Sequence, residues 1–182
     1  MTELPVAVNA IVIFYSRHGH TESLALAAGV GAIQARANVR LRKVFETADS
    51  PTIESEYIAP RQIDLEWADM LVLAVPSDAP DEMNRYLGSL KDLTGKIAAP
   101  FTSRSITRGE KDPALLALYA AAAGAGLMVV PAPAETGGDP IQAVRAHGRR
   151  VAEIAGALKP HLTASNSAAA PWPPPTHMVT TP

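Results

Sequence analysis

At 182 residues the chain is long enough for one domain with a sizeable core. Its 16 Lys and Arg against 18 Asp and Glu leave a net charge of -2, which excludes the basic footprint of a nucleic-acid binder. The absence of cysteine excludes disulfides, thiolate nucleophiles and Cys-ligated metals. No charged-then-apolar leader opens the sequence and no apolar run is long enough to span a membrane, so the expected setting is soluble and cytoplasmic.

Residues 10–15 (AIVIFY) form a continuous apolar run, the pattern of a strand buried on both faces. Residues 21–36 carry Leu24, Ala27, Ala28 and Gly31 at helical spacing, with Thr21 placed as the N-cap. Gly29 and Gly31 each cost such a helix about 1 kcal/mol relative to Ala, which close packing against a sheet would explain. Residues 39–44 (VRLRKV) alternate apolar and basic, as a half-exposed edge strand does. Residues 47–60 read as loop, and 63–69 as a short turn or helix. A second doubly buried strand, 70–75 (MLVLAV), stops at Pro76. Residues 81–90 form a helix with Met83, Tyr86, Leu87 and Leu90 on one face. Residues 96–101 (KIAAPF) form a strand weakened by Pro100. A helix over 113–124 has Pro113 in its first turn, and the last strand, 127–130 (LMVV), is closed by Pro131. The closing helix, 140–158, turns Ile141, Val144, Val151, Ile154 and Leu158 inward and ends near Pro160.

Residues 1–160 are thus expected to form the folded domain and 161–182 an extended, disordered tail, "TASNSAAAPWPPPTHMVTTP" from Thr163 onward. Trp172 beside Pro173, Pro174 and Pro175 fits either a polyproline ligand or a loose end.

Strands alternating with helices imply an α/β fold with a parallel sheet covered on both faces. Ligands in such sheets sit beyond the carboxyl ends of the strands, near the switch point in strand order. Polar loops converge on that rim. The first, Ser16-Arg17-His18-Gly19-His20-Thr21, runs from a strand into a helix amino terminus, where unpaired amides and the helix dipole favour an anion. Ser16 and Thr21 add hydroxyl donors, Gly19 allows close backbone approach, and Arg17 adds charge. A well-capped turn with no ligand satisfies the same spacing equally well. A Walker loop, a dinucleotide fingerprint and a receiver-domain acidic cluster all require residues this turn lacks. His18 and His20 have no carboxylate or thiol beside them to complete a metal site, and His147 reads as a surface residue of the last helix. Asp78, Asp81 and Glu82 fit an ordinary acidic helix start better than acid–base catalysis. The segment "ETGGDP" (135–140) reads as a turn more readily than as a ligand loop.

Across roughly residues 10–158 the chain resembles the flavodoxin-like superfamily, and within it the NAD(P)H:quinone oxidoreductases related to the tryptophan-repressor-binding protein. The sharpest match is "IVIFYSRHGHTESLA"; "ADMLVLAVPS", "MNRYL" and "GLMVVP" supply the others. The resemblance implies a doubly wound five-stranded sheet of order 2-1-3-4-5, FMN as cofactor, NAD(P)H as co-substrate and a quinone or similar small electron acceptor. It assigns Ser16, Arg17, His18, Gly19, His20 and Thr21 to the FMN phosphate. It sets Pro76, Ser77, Asp78 and Ala79, then Thr102, Ser103, Arg104 and Ser105, beside the isoalloxazine ring, with Arg104 and Arg108 placed to steady a reduced flavin or attract a nicotinamide phosphate. Family members often form homo-oligomers. The chain departs from the pattern at the ring end: only "SDAPDE" separates Pro76 from Met83, the third loop reads "TSRSITRGE" instead of a glycine-rich run, and Gly124-Ala125 replaces a histidine pair. The alternative is a cofactor-free partner or structural subunit. An electron carrier would call for an acidic docking surface that the near-neutral charge does not supply.

Overall fold

In the computed structural model of the chain, the described residues are 7–45, 56–90, 93–108, 112–132 and 138–167. They form, in order, β1 (Asn9–Phe14), α1 (His20–Gln34), β2 (Asn38–Lys43), α2 (Gln62–Trp67), β3 (Met70–Val75), α3 (Pro80–Ser89), β4 (Ile97–Thr102), α4 (Ser103–Arg108), α5 (Pro113–Gly124), β5 (Met128–Val129) and α6 (Pro140–Ser167). The five strands pair in parallel in the order β2-β1-β3-β4-β5, as the sequence resemblance implies. Strand order reverses between β1 and β3, so the loops that follow these two strands border the switch-point crevice.

The alternation along β1 explains the layers. Ala10, Val12 and Phe14 face α1 and α6, where they meet Leu24, Ala28, Val144 and Val151. Ile11, Ile13 and Tyr15 face the other way, onto Leu65 of α2, Met83 and Leu87 of α3, and Leu118 of α5. Every residue of β3 and β4 is buried. Each large aliphatic side chain so covered contributes about 1.5–3 kcal/mol, and this two-sided core holds the loop ends in register.

The edge strand β2 is half-buried, and its arginines are gathered by a buried carboxylate. Asp64 of α2 accepts from Arg42 Nε at 2.8 Å and Nη2 at 2.6 Å, from Arg40 Nη1 at 3.1 Å, and from the Arg61 backbone N–H at 3.2 Å. The Arg42 hydrogen bond outweighs burial and, with the Arg61 amide and Arg40, holds the Asp64 carboxyl down at about 2. Arg40 also stacks over Trp67 at 4.0 Å.

Several expectations are corrected. Gly19, not Thr21, is the N-cap of α1, in the left-handed region at φ 79, and Thr21 lies buried inside the first turn. Gly29 does pack on the sheet, where an added Cβ would sit 3.6 Å from Val12 and Val39 methyls, but Gly31 packs on α6. Pro100 lies within a fully buried strand. The Ala98 carbonyl accepts from Val130 N on the β5 side at 2.8 Å. By strand alternation Pro100 turns its nitrogen to that same side, where two-residue β5 pairs only with Ile97 and Ala98. No ladder bond is therefore lost. The third predicted loop, Thr102 to Ser105, is not open loop: α4 begins directly after β4. The closing helix continues through Pro160 to Ser167. Leu158 is 36% exposed rather than inward, and His147, read as a surface residue, is 1% exposed. Asp139 accepts from Ile141 N at 3.0 Å and so caps α6, which makes Asp139-Pro140 a plain helix start. Residues 46–55, 133–137 and 168–182, with Trp172 and much of "ETGGDP", lie outside the described residues.

Candidate functional site

The first loop leaves β1 at Tyr15, whose N–H is held by the Ala74 carbonyl at 3.0 Å, so β3 anchors its start. Ser16 is buried, and its Oγ accepts the Gly19 amide at 3.1 Å. That closes a tight turn, which Gly19 completes with a backbone that other residues adopt only under strain. An added Cβ at Gly19 would meet nothing within 4 Å, so the ground above the turn is open. No side chain caps α1. The first-turn amides of His20, Thr21 and Glu22 therefore lack intrahelical partners. Glu22, the acid of that turn, is engaged by the Tyr57 hydroxyl at 3.0 Å. His18 and His20 are exposed, and among the described residues no group of three or more His, Cys, Asp or Glu could hold a metal ion.

Arg17 reaches across the crevice. Its Nε donates to the Tyr15 hydroxyl at 2.8 Å, and its guanidinium lies 3.8 Å from Asp78 and 3.9 Å from Glu82. It links the first loop to the second loop and α3.

Pro76 to Ala79 make a turn closed by Ala79 N donating to Pro76 O at 3.3 Å. Ser77 Oγ donates to Asp112 Oδ2 at 2.6 Å and accepts from Arg104 N at 3.2 Å. Thr102 Oγ1 donates to the same Asp112 oxygen at 2.5 Å and accepts from Ser105 N at 3.1 Å. Ser105 Oγ in turn accepts from Thr102 N at 3.1 Å and donates to Thr102 O at 2.9 Å. The other Asp112 oxygen accepts from Ala114 N at 3.0 Å and caps α5. Burial pushes the Asp112 carboxyl up, but the Ser77, Thr102 and Ala114 bonds and the charge of Arg104 prevail, and the group sits below the usual carboxylate value.

These loops enclose an open cleft of about 280 Å³ lined by His20, Ser77, Asp78, Ser103, Arg104 and Thr107. It unites members of all three predicted loops on the carboxyl rim. Thr102 and Ser105 stand behind it as buried support, and Ala79 is buried beneath the second turn. Sequence reading missed Asp112, hidden in the charged run "RGEKD", although an acid directly before Pro113 is an N-cap signal.

A Deinococcus radiodurans protein named NAD(P)H dehydrogenase (quinone) is 30% identical over 145 residues, covering 68% of this chain and 72% of its own. The chain belongs to the NAD(P)H dehydrogenase (quinone) family. An Archaeoglobus fulgidus member of that family is 27% identical over 183 residues, covering 80% of this chain and 96% of its own. Among solved structures, an archaeal flavodoxin superposes with a TM-score of 0.59 at 17% identity, over 81% of this chain and 98% of its own. A Streptococcus flavodoxin gives 0.57 at 15% identity, over 80% and 99%. Both show the flavodoxin-like fold. No protein-family model matches the chain. The polar crevice lies at the carboxyl rim of the sheet, and among the described residues no helix is long and apolar enough to cross a membrane.

Proposed function

We propose that the chain is an FMN-binding oxidoreductase that passes reducing equivalents from NAD(P)H to a quinone or similar small acceptor. The observation that carries this reading is the start of α1: uncapped amides at His20, Thr21 and Glu22, an open left-handed Gly19 and the buried Ser16 hydroxyl. Several N–H groups at the positive end of a helix dipole suit a phosphate dianion. Family membership says which phosphate to test first.

A flavin held there would supply two-electron transfer between the nicotinamide and the acceptor. The chain's own residues bind and orient. Ser16 and the first-turn amides would hold the phosphate. Ser77, Asp78, Ser103, Arg104 and Thr107 would border the ring side, with Arg104 the one guanidinium among the lining residues. No side chain of the chain need trade a proton for this chemistry. A second reading, a cofactor-free partner or structural subunit, draws on one observation: the side chains lining the cleft are all polar, with no Phe, Tyr or Trp to cover a ring.

The two readings part in a titration. Purified protein added to FMN should quench its fluorescence saturably, with a Kd in the micromolar range or below, and the loaded protein should oxidise NAD(P)H when a quinone is supplied. Unquenched FMN at millimolar protein would leave the cofactor-free reading standing.

A further inference from the structure

Asp112 is too heavily engaged to be only a helix cap. Capping α5 needs one oxygen, and Oδ1 provides it to Ala114 N. Oδ2 has separate partners, the hydroxyls of Ser77 and Thr102, which come from 35 and 10 residues away. A carboxylate is acceptor-only. Both hydroxyls must therefore aim their protons at Oδ2, which leaves their lone pairs for the Arg104 and Ser105 amides. One buried anion thereby dictates the direction of every bond in the chain Arg104 N–H to Ser77 to Asp112, and Ser105 N–H to Thr102 to Asp112. Ser77 and Arg104 both line the cleft, one from each wall.

We propose that Asp112 is a positioning residue that ties the loop after β3 to the start of α4 and so sets the spacing of the two walls between which a flavin ring would lie. The inference rests on the flavin reading. Asp112 does not line the cleft; it acts through Ser77 and Arg104. Preorganisation of this kind removes the cost of ordering both loops when the ligand enters.

The test is Asp112→Asn in the full chain, titrated with FMN and with riboflavin. Asn retains an oxygen for Ala114 N and is as good an N-cap as Asp, but its amide group cannot accept the second set of protons. Flavin affinity should fall about tenfold, equivalent to about 1.4 kcal/mol, and by the same factor for riboflavin, which has no phosphate. In the ligand-free protein, amide hydrogen exchange should speed up at Arg104 and Ser105 and stay unchanged along α5. Ser77→Ala should reproduce the loss, Ser77→Thr should restore binding, and the double variant Asp112→Asn with Ser77→Ala should be no worse than either alone, because both break one network. Wild-type protein that binds flavin while Asp112→Asn binds it equally well overturns the positioning role alone. Wild-type protein that binds no flavin overturns the flavin reading, and the ring-positioning role goes with it.

Discussion

His147 is buried with neither ring nitrogen hydrogen-bonded among the described residues, and this makes the fold sensitive to acid. Burial first, and the charge of Arg150 second, push its pKa from 6.5 to about 4. Below pH 6.5 the unfolded chain takes up a proton that the folded chain refuses until about pH 4. Stability is therefore whole above 6.5 and declines as pH falls towards 4, by up to about 1.4 kcal/mol per unit and about 3 kcal/mol in all. Asp64 acts in a lower window. Its folded value of about 2 against 3.8 means its ion pairs with Arg42 and Arg40 weaken only as pH drops below 3.8. Urea midpoints taken at pH 7, 5.5 and 4.5 should fall steadily for the wild type, and His147→Leu should flatten that limb while leaving the one below pH 4. An equal decline in both proteins would show that His147 is not the group responsible. The sequence could not announce this burial, because Arg145, Arg149 and Arg150 surround a lone histidine and make its helix segment look solvated.

At the scale of elements, α1 and α6 touch backbone to backbone. A Cβ at Gly31 would lie 1.9 Å from the Arg145 carbonyl oxygen, and one at Gly148 would lie 2.1 Å from the Ala28 carbonyl oxygen. Main-chain atoms cannot step aside as a side-chain end does, so the helices would have to part. Gly31→Ala and Gly148→Ala should each cost about 1–3 kcal/mol, against an intrinsic gain of about 1 kcal/mol in helix propensity. Gly88 in α3 has nothing within 4 Å, and Gly88→Ala should instead gain about 0.5–1 kcal/mol. Thermal melts of the three variants decide it; a stabilised Gly31→Ala would mean the helices are not in contact there. The sequence revealed that Gly31 was crowded but not by what, since its neighbour on α6 is more than a hundred positions away. The buried strands β1 and β3 were legible because the six-residue apolar runs 10–15 and 70–75 have the length and β-branched content of a strand covered on both faces. α4 was not, because SRSITR has no apolar period; its start is marked only by Thr102, whose Oγ1 accepts the Ser105 amide.

For the whole molecule, legibility followed sequence distance. The first loop is contiguous, so Ser16, Gly19 and the start of α1 could be read together, whereas Asp112, Ser77 and Thr102 meet only once β3, β4 and α5 are in register. Both kinds of information converge on one equilibrium. A ligand that binds only the folded chain adds RT ln(1 + [L]/Kd), about 2.7 kcal/mol at one hundred times Kd. For a domain of this size each kcal/mol moves Tm by about 2–4 °C, so FMN at that excess should raise it by about 5–10 °C. The increment has two separable parts. Ser16→Ala removes a hydroxyl from the proposed phosphate end and the acceptor of the Gly19 amide, so it should shrink the shift given by FMN and leave the smaller shift given by riboflavin in place. Asp112→Asn acts at the proposed ring end and should shrink both. Scanning calorimetry of the three proteins with each ligand measures the division, and a Tm that FMN leaves untouched in the wild type would remove the anion site from the start of α1.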